Sequence, residues 1–285
     1  MKAIPVLYAE GDNLPDAWEL ALIELKYGGC KIRTQYDLKD AAGLFIDPPS
    51  LDSTMMFVVT DPAAEPRFSK CFPGGPADLQ EYRMEVVDGV KDHWVDPNDK
   101  KKRQYTYHNR LTAYDNGTGL KQNQIEKMID QLVESPYSRR VEAITWQPWK
   151  DQDCSDPPCL QRVWCRILED DQGVWWLQMN TDWRSRDAFK ASFMNADAFI
   201  YWMGVMAEEI GRRAKREVRL GRYCDKSDSF HIYGKDLAEF ENLFMNGMHN
   251  KTFGMRTYNT EDLAPMMTES IPEIVEKIRR KDAGE

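Results

Sequence analysis

No stretch of this 285-residue sequence approaches the roughly 18 to 20 consecutive apolar residues that a bilayer-spanning helix needs. The opening run, MKAIPVLYAEGDNLPD, carries acids where a signal peptide would carry an apolar segment, so neither a membrane span nor a secretory leader is expected. Positive charge is also short. Lys and Arg number 38 against 47 Asp and Glu, for a net charge of -9. Binding a polyanion needs a dominant basic face, so nucleic acid is not the expected partner, and an anionic small substrate has to be met by a few local arginines. The six cysteines (Cys30, Cys71, Cys154, Cys159, Cys165, Cys224) form no dense framework, which predicts reduced thiols and a cytoplasmic setting. Internal repeats, low-complexity tracts and linker-like shifts of composition are missing too. What is there, 42% apolar and 30% charged residues, is ordinary globular composition with ample material for a core.

Periodicity assigns the elements. Ala17, Leu20, Ala21, Ile23 and Leu25 share a helical face that stops at Gly28-Gly29. Residues 44–46 and 55–60, each followed by proline, predict short strands. Leu79, Tyr82, Val86 and Val87 predict a helix over 77–89, and residues 96–103 (DPNDKKKR) a charged surface loop. Ile125, Met128, Ile129 and Leu132 make a helix over 122–133. Residues 141–146, 160–168 and 174–179 predict antiparallel strands, with Asp170-Asp171-Gln172-Gly173 as the hairpin turn of the last two. Residues 199–213 predict the most apolar helix, and residues 270–280 a terminal amphipathic one capped by Ser270 with Pro272 in its first turn. One α+β domain over residues 1–285 is the economical reading.

Three groups of residues can carry chemistry. Cys159 follows Asp156-Pro157-Pro158 at the entrance of an apolar strand, where the thiol is either a buried structural group or a nucleophile. Ser138-Arg139-Arg140 and Arg184-Ser185 flank it in sequence, and cationic neighbours lower a thiol's pKa. Cys154 and Cys159 have a spacing that zinc tolerates, but no second ligand pair follows, so no metal is expected. Arg184 beside Ser185 suits a phosphate monoester, whereas Arg139-Arg140 alone reads equally as solvated charge. In His231-Ile232-Tyr233 the His and Tyr point to one side of a strand, either to hold a sugar hydroxyl or as satisfied core groups.

Taken in order, Ser135-Pro136-Tyr137-Ser138-Arg139-Arg140, Trp146, Pro157-Pro158-Cys159, Arg184-Ser185-Arg186-Asp187, Asn195 and His231-Ile232-Tyr233 resemble the thymidylate synthase superfamily, which holds thymidylate synthases and pyrimidine nucleotide hydroxymethylases. Tyr105 and Arg110 in YTYHNRL, and Gln124-Ile125, resemble two further motifs upstream. The likeness spans about Leu79 to Tyr233. It implies a mixed β-sheet packed by helices, a homodimer joined sheet to sheet, and 5,10-methylenetetrahydrofolate as the one-carbon donor to a pyrimidine nucleoside monophosphate. It also implies residue roles. Cys159 adds to carbon 6 of the ring. Arg184 and Ser185 hold the 5′-phosphate with Arg139 and Arg140 from the second subunit, and Arg33 is a loop arginine for the same group. Asp187 and Asn195 face the ring, His231 with Tyr233 holds the ribose hydroxyl, and the motif tyrosine Tyr105 counts among the catalytic groups. Glu81 organises proton transfer, with Glu85 as the fallback.

Two departures from the family pattern bear on the product. Counting back from Tyr105 puts Trp94 on the second tryptophan of a family pair and Lys91 on the first. An indole there walls the reaction from solvent, so a lysine is expected to admit water. The chain also ends KIRRKDAGE rather than in an apolar closing tail. Both favour hydroxymethylation of dUMP or dCMP over reductive methylation. Asn195 suits uracil, Asp197 keeps cytosine open, and a non-catalytic nucleotide binder is the reading from another class.

Overall fold

The computed structural model describes residues 3–96, 99 and 102–283. At its centre is an eight-stranded mixed sheet. Six strands run in the order Val6–Gly11, Ser50–Val59, Val218–Ile232, Trp175–Trp183, Leu160–Glu169 and Glu142–Ile144. Two short strands, Cys30–Ile32 and Arg186–Asp187, pair with Ser50–Val59 and Val218–Ile232. Val6–Gly11 runs parallel to Ser50–Val59, and Val218–Ile232 parallel to Trp175–Trp183, while the remaining neighbours on the path are antiparallel.

Period-two burial sets the two faces. From Trp175 to Trp183 every odd residue is buried, while Trp176, Gln178, Asn180 and Asp182 are half-exposed. The buried side is covered by the helices Leu14–Gly28 and Ser192–Ala214, whose Trp18, Phe193 and Phe199 join Phe57, Tyr223 and Phe230 of the sheet in one core. The other side carries a row of cross-strand neighbours, Tyr8, Met56, Lys226, Asp182, Arg162 and Ile144. Tyr8, Met56 and Ile144 in that row are exposed.

Local chemistry explains the elements that the sequence predicts. Leu14–Gly28 starts where the Asn13 side chain accepts the Asp16 N–H at 3.1 Å, and it ends where the Gly29 N–H closes on Leu25 O. The helix Gln124–Glu134 buries Ile125, Met128, Ile129 and Leu132, the spacing read from sequence. The turn between Leu160–Glu169 and Trp175–Trp183 puts Gly173 at φ +80°, a region that glycine enters without strain.

Three expectations need correction. Residues 44–46 form no strand: Leu44, Phe45 and Ile46 are exposed, and Asp40 Oδ1 accepts the N–H groups of Ala42 and Leu44 in a turn. The apolar helix begins at Ser192, not 199, and so carries Asn195 and Asp197 on its first turns. The terminal helix runs Thr260–Ala283, through Pro265 and Pro272. Ser270 does not cap it; its hydroxyl donates to Met267 O inside the helix. Leu263, Met267, Ile274 and Ile278 are buried along this helix, and that packing outweighs the lost backbone bonds. Of the loop expected over 96–103, residues 97, 98, 100 and 101 lie outside the described residues.

Candidate active site

Cys159 sits one residue before the strand Leu160–Glu169, half-buried against Arg184. Arg184 Nη2 lies 3.7 Å from the Cys159 sulfur, and Arg184 Nε donates to Pro158 O at 2.9 Å. Nη1 makes no hydrogen bond among the described residues, and neither does the Ser185 hydroxyl beside it, so both are free to meet an oxyanion. Burial pushes the Cys159 thiol up; Arg184 and Arg186 oppose that shift and Asp156 adds to it. This corrects the expectation of a lowered pKa. Desolvation outweighs the two cations, so the resting group is a thiol.

Aromatic groups wall this end of the strand. Tyr107 receives the Leu160 N–H at 3.4 Å, stands edge-on to Trp183, and has its ring 5.5 Å from that of Tyr105. Burial, together with the neighbouring Tyr107 and Cys159, raises the Tyr105 phenol far above its usual range, so it stays protonated and can donate. Beneath them Arg186 lies 3.8 Å from the Trp183 ring and bonds Asp225 at 2.6 Å, a fully buried pair. Asp225 is also bonded by Tyr223 and Thr181.

Asp187 and His231 are paired residues on adjacent strands. Asp187 Oδ1 accepts the N–H groups of Phe189 and Lys190 at 3.1 and 2.8 Å, while burial raises its carboxyl. The His231 and Tyr233 rings are 4.6 Å apart, on one side as expected. Asn195 donates through Nδ2 to the Tyr82 hydroxyl. Its Oδ1 and second N–H remain available. Asp197 is held by Arg83 in two 2.7 Å bonds and is buried, so it cannot face a base.

Glu81 and Glu85 lie one turn apart on the helix Pro76–Val86 and share Lys91, whose Nζ is 2.8 Å from Glu81 and 2.7 Å from Glu85. Lys277 of the terminal helix takes the other Glu81 oxygen at 2.7 Å. Burial alone would raise the Glu81 carboxyl, but the bonds from Lys277 and Lys91 hold it below the usual range. Glu81 makes no hydrogen bond to Cys159 or Asn195. It lines a cavity of about 930 Å3 with Trp94, Arg103, Arg280 and Lys281. Lys91 is only 5% exposed, so it forms a polar wall there, 5.7 Å from the Trp94 ring, rather than an opening to solvent.

The arginines expected at the phosphate are not gathered in one chain. Arg139 and Arg140 are exposed, and their side chains make no hydrogen bond or ion pair among the described residues. Arg33 is exposed, bonds Asp37 and Asp47 O, and stacks 3.9 Å over Phe45. A cavity of about 390 Å3 beside Tyr233 is lined by Asp37, Asp47 and Asp156, with Lys235 as the one cation among the described residues of its wall. No group of three metal-ligating side chains gathers among the described residues. Sequence reasoning missed Tyr82, Tyr107, Asp52 and Ser229. Ser229 and Tyr107 left a local signal, a two-residue spacing from His231 and from Tyr105.

A cysteine thus stands at a strand mouth beside an arginine, with Asp187 and His231 on adjacent strands and Asn195 on the helix that follows. The sequence profile of the family described as thymidylate synthase matches residues 76–271. The chain belongs to the thymidylate synthase family. Among curated relatives, a Methanothermobacter marburgensis protein is 32% identical over 149 residues, covering 52% of this chain and 60% of its own. A Methanopyrus kandleri protein is 28% identical over 237 residues, covering 82% of this chain and 96% of its own. Each bears the name "Putative thymidylate synthase". The match to the M. marburgensis relative thus spans under two thirds of that relative's length. Thermostable thymidylate synthase A from Bacillus subtilis superposes with a TM-score of 0.57 over 82% of this chain and 84% of its own, at 15% identity, and so shares the family's fold. No helix among the described residues is long and apolar enough to cross a membrane.

Proposed function

We propose that this chain transfers a one-carbon unit to carbon 5 of a pyrimidine nucleoside monophosphate, by hydroxymethylation of dUMP or dCMP. The observation that carries the reading is the Cys159 thiol at 3.7 Å from a guanidinium with a free nitrogen, among donors suited to a nucleotide. The Cys159 sulfur, once deprotonated, bonds carbon 6, and the electron pair of the 5,6 double bond moves toward carbon 5 and the ring carbonyl. Asn195 accepts the ring N–H and donates to that carbonyl, stabilising the charge that develops there. Tyr105 is a protonated donor beside the thiol. Arg184 and Ser185 hold the phosphate, and His231 with Tyr233 holds the sugar.

The family's cosubstrate, 5,10-methylenetetrahydrofolate, supplies the carbon when bound. Its ring and anionic tail suit the Trp94 cavity, whose wall sets Lys91, Arg103, Lys277, Arg280 and Lys281 against Glu81, Glu273 and Glu276 and so carries two cations more than acids. Glu81, kept ionised by Lys277 and Lys91, is in this reading the group that moves the carbon 5 proton through water. Lys91, where the family pattern has a shielding indole, makes that wall polar instead of apolar, and this favours water over hydride in the addition to the exocyclic methylene on carbon 5, tetrahydrofolate being the group that leaves. With Asp197 tied to Arg83, Asn195 alone selects the base, which supports uracil over cytosine.

The exposed row from Tyr8 to Ile144 is the surface for a second copy, joined sheet to sheet, and Arg139 and Arg140 then complete the partner's phosphate site. One large core, with a small second cluster of Met84, Ile274 and Ile278 under the terminal helix, fits a single domain over 1–285, and six unpaired thiols fit a reducing, cytoplasmic setting. The relatives' names favour a second reading, reductive methylation of dUMP. Purified protein with methylenetetrahydrofolate and each of dUMP, dCMP, UMP and CMP, products weighed by mass spectrometry, decides between them. A hydroxymethyl product supports the first reading, a methyl product the second, and no adduct or product with any nucleotide removes both.

A further inference from the structure

Four residues meet side by side across four strands: Asp187, His231, Asp52 and Cys30. Within this row His231 Nε2 and Asp52 Oδ1 are buried and have no partner among the described residues. His231 is 5% exposed and Asp52 7%. Between them stands Ser229, which donates its hydroxyl to Asp52 Oδ2 at 2.8 Å and lies 3.2 Å from His231 Nδ1.

Donor counting fixes the ring. A serine hydroxyl has one hydrogen, and here it goes to Asp52, whose carboxyl is raised by burial while the Ser229 bond and His231 hold it down. Toward His231 the same oxygen can then only accept, so Nδ1 carries the proton. Burial lowers the His231 pKa, against the pull of Asp52, and the ring is neutral at neutral pH. A neutral imidazole has one N–H, which leaves Nε2 as a bare acceptor. The other titratable groups of the row, Asp187 and Cys30, make no bond to His231 or Asp52.

We propose that Asp52 and Ser229 are positioning residues that lock His231 in the Nδ1–H tautomer, so that Nε2 accepts a hydrogen bond from one hydroxyl of the substrate's sugar. The inference rests on the reading of the chain as a nucleotide enzyme. Burial holds the Tyr233 phenol protonated, with its pKa pushed up to about 12. Its O–H is the matching donor for the same sugar oxygen. A hydroxyl satisfies one acceptor and one donor together. A sugar carrying hydrogen at that position leaves Nε2 buried and unpaired, and is rejected.

The test has two arms. Long-range nitrogen–proton NMR of the ligand-free protein, with the His231 signals assigned by loss in His231→Gln, reads the tautomer directly. The expected pattern is a protonated Nδ1 with a bare Nε2; a protonated Nε2 overturns the proposal whatever the enzyme does. Calorimetry then compares dUMP with its 2′,3′-dideoxy analogue. The native protein is expected to favour dUMP by about tenfold. Ser229→Ala and Asp52→Ala lose most of that preference without weakening the dideoxy analogue, and Ser229→Thr keeps it. Equal weakening of both nucleotides in the alanine variants means a merely structural role and sinks the idea. A native protein with the expected ring that binds neither nucleotide removes the nucleotide reading, and the hydroxyl with it, while the tautomer stands.

Discussion

Arg184 clamps the backbone that carries Cys159. Its N–H donates to Cys159 O at 2.9 Å and its Nε to Pro158 O at 2.9 Å, while Nη2 reaches the sulfur at 3.7 Å. One arginine thus orients the thiol, lies nearest its charge and keeps one nitrogen for a phosphate. Arg184→Ala is expected to lose covalent adduct formation with a fluorinated pyrimidine nucleotide by about 100-fold or more, since both positioning and charge go together. Mass spectrometry of the intact protein reads the adduct, and near-native adduct in this variant would show that the clamp has no part in the reaction.

Cys159→Ala should abolish turnover and the covalent adduct while leaving the fold and nucleotide affinity largely intact. The sulfur forms a bond in the reaction but adds little to ground-state recognition. Circular dichroism, calorimetry and product assay on one preparation check all three, and near-normal turnover is the outcome that rules out the mechanism.

Because burial raises the Cys159 pKa, the thiolate fraction at neutral pH is small and climbs with pH. The rate of alkylation by iodoacetamide at this residue should rise about tenfold per pH unit from pH 7 to 8. Asp156 raises the same pKa, so Asp156→Asn should speed the reaction at pH 7. A pH-independent rate would mean that the thiolate is already formed.

The Arg139 and Arg140 side chains have no partner in their own chain among the described residues. If they complete a neighbour's phosphate site, mixing inactive Arg140→Ala and Cys159→Ala proteins under subunit exchange should restore up to about a quarter of native activity through hybrids with one intact site. Mixing that restores nothing places both arginines outside the phosphate site of a partner.

The buried Lys91 between Glu81 and Glu85 should leave its mark on the product. Tetrahydrofolate and a 5-hydroxymethyl nucleotide are expected, with little dihydrofolate, and Lys91→Trp should raise the dihydrofolate share. Near-ultraviolet absorbance and nucleotide mass in one reaction report both. Stoichiometric dihydrofolate from the native protein would establish a thymidylate synthase.

Removing one partner of the Arg186–Asp225 pair strands a charge at 1% exposure. Asp225→Ala should therefore destabilise the protein by about 3–5 kcal/mol in urea unfolding. A loss below about 1 kcal/mol would mean that the Arg186 guanidinium finds water.

Residues whose chemistry and neighbours are local were legible in the sequence. The apolar spacing of Gln124–Glu134, the turn from Asp170 to Gly173 ahead of Trp175–Trp183 and the ordered Cys, Arg, Asn and His-Tyr motifs each follow from short-range geometry or from the fixed order of reacting groups. The first seven residues of Ser192–Ala214 and the first ten of Thr260–Ala283 were not, because their propensity is weak and long-range packing makes them helical. Nor was the state of the site. That Cys159 is a thiol depends on its burial in the fold, which outweighs Arg184 and Arg186 beside it. Lys277 meets Glu81 across 196 positions and Ser229 meets Asp52 across 177. Those contacts come from helix docking and from a sheet register that shifts between Ser227 and Phe230. A slip of one residue there would turn His231 to the opposite face, so only the folded sheet decides that His231, Asp52 and Ser229 stand together.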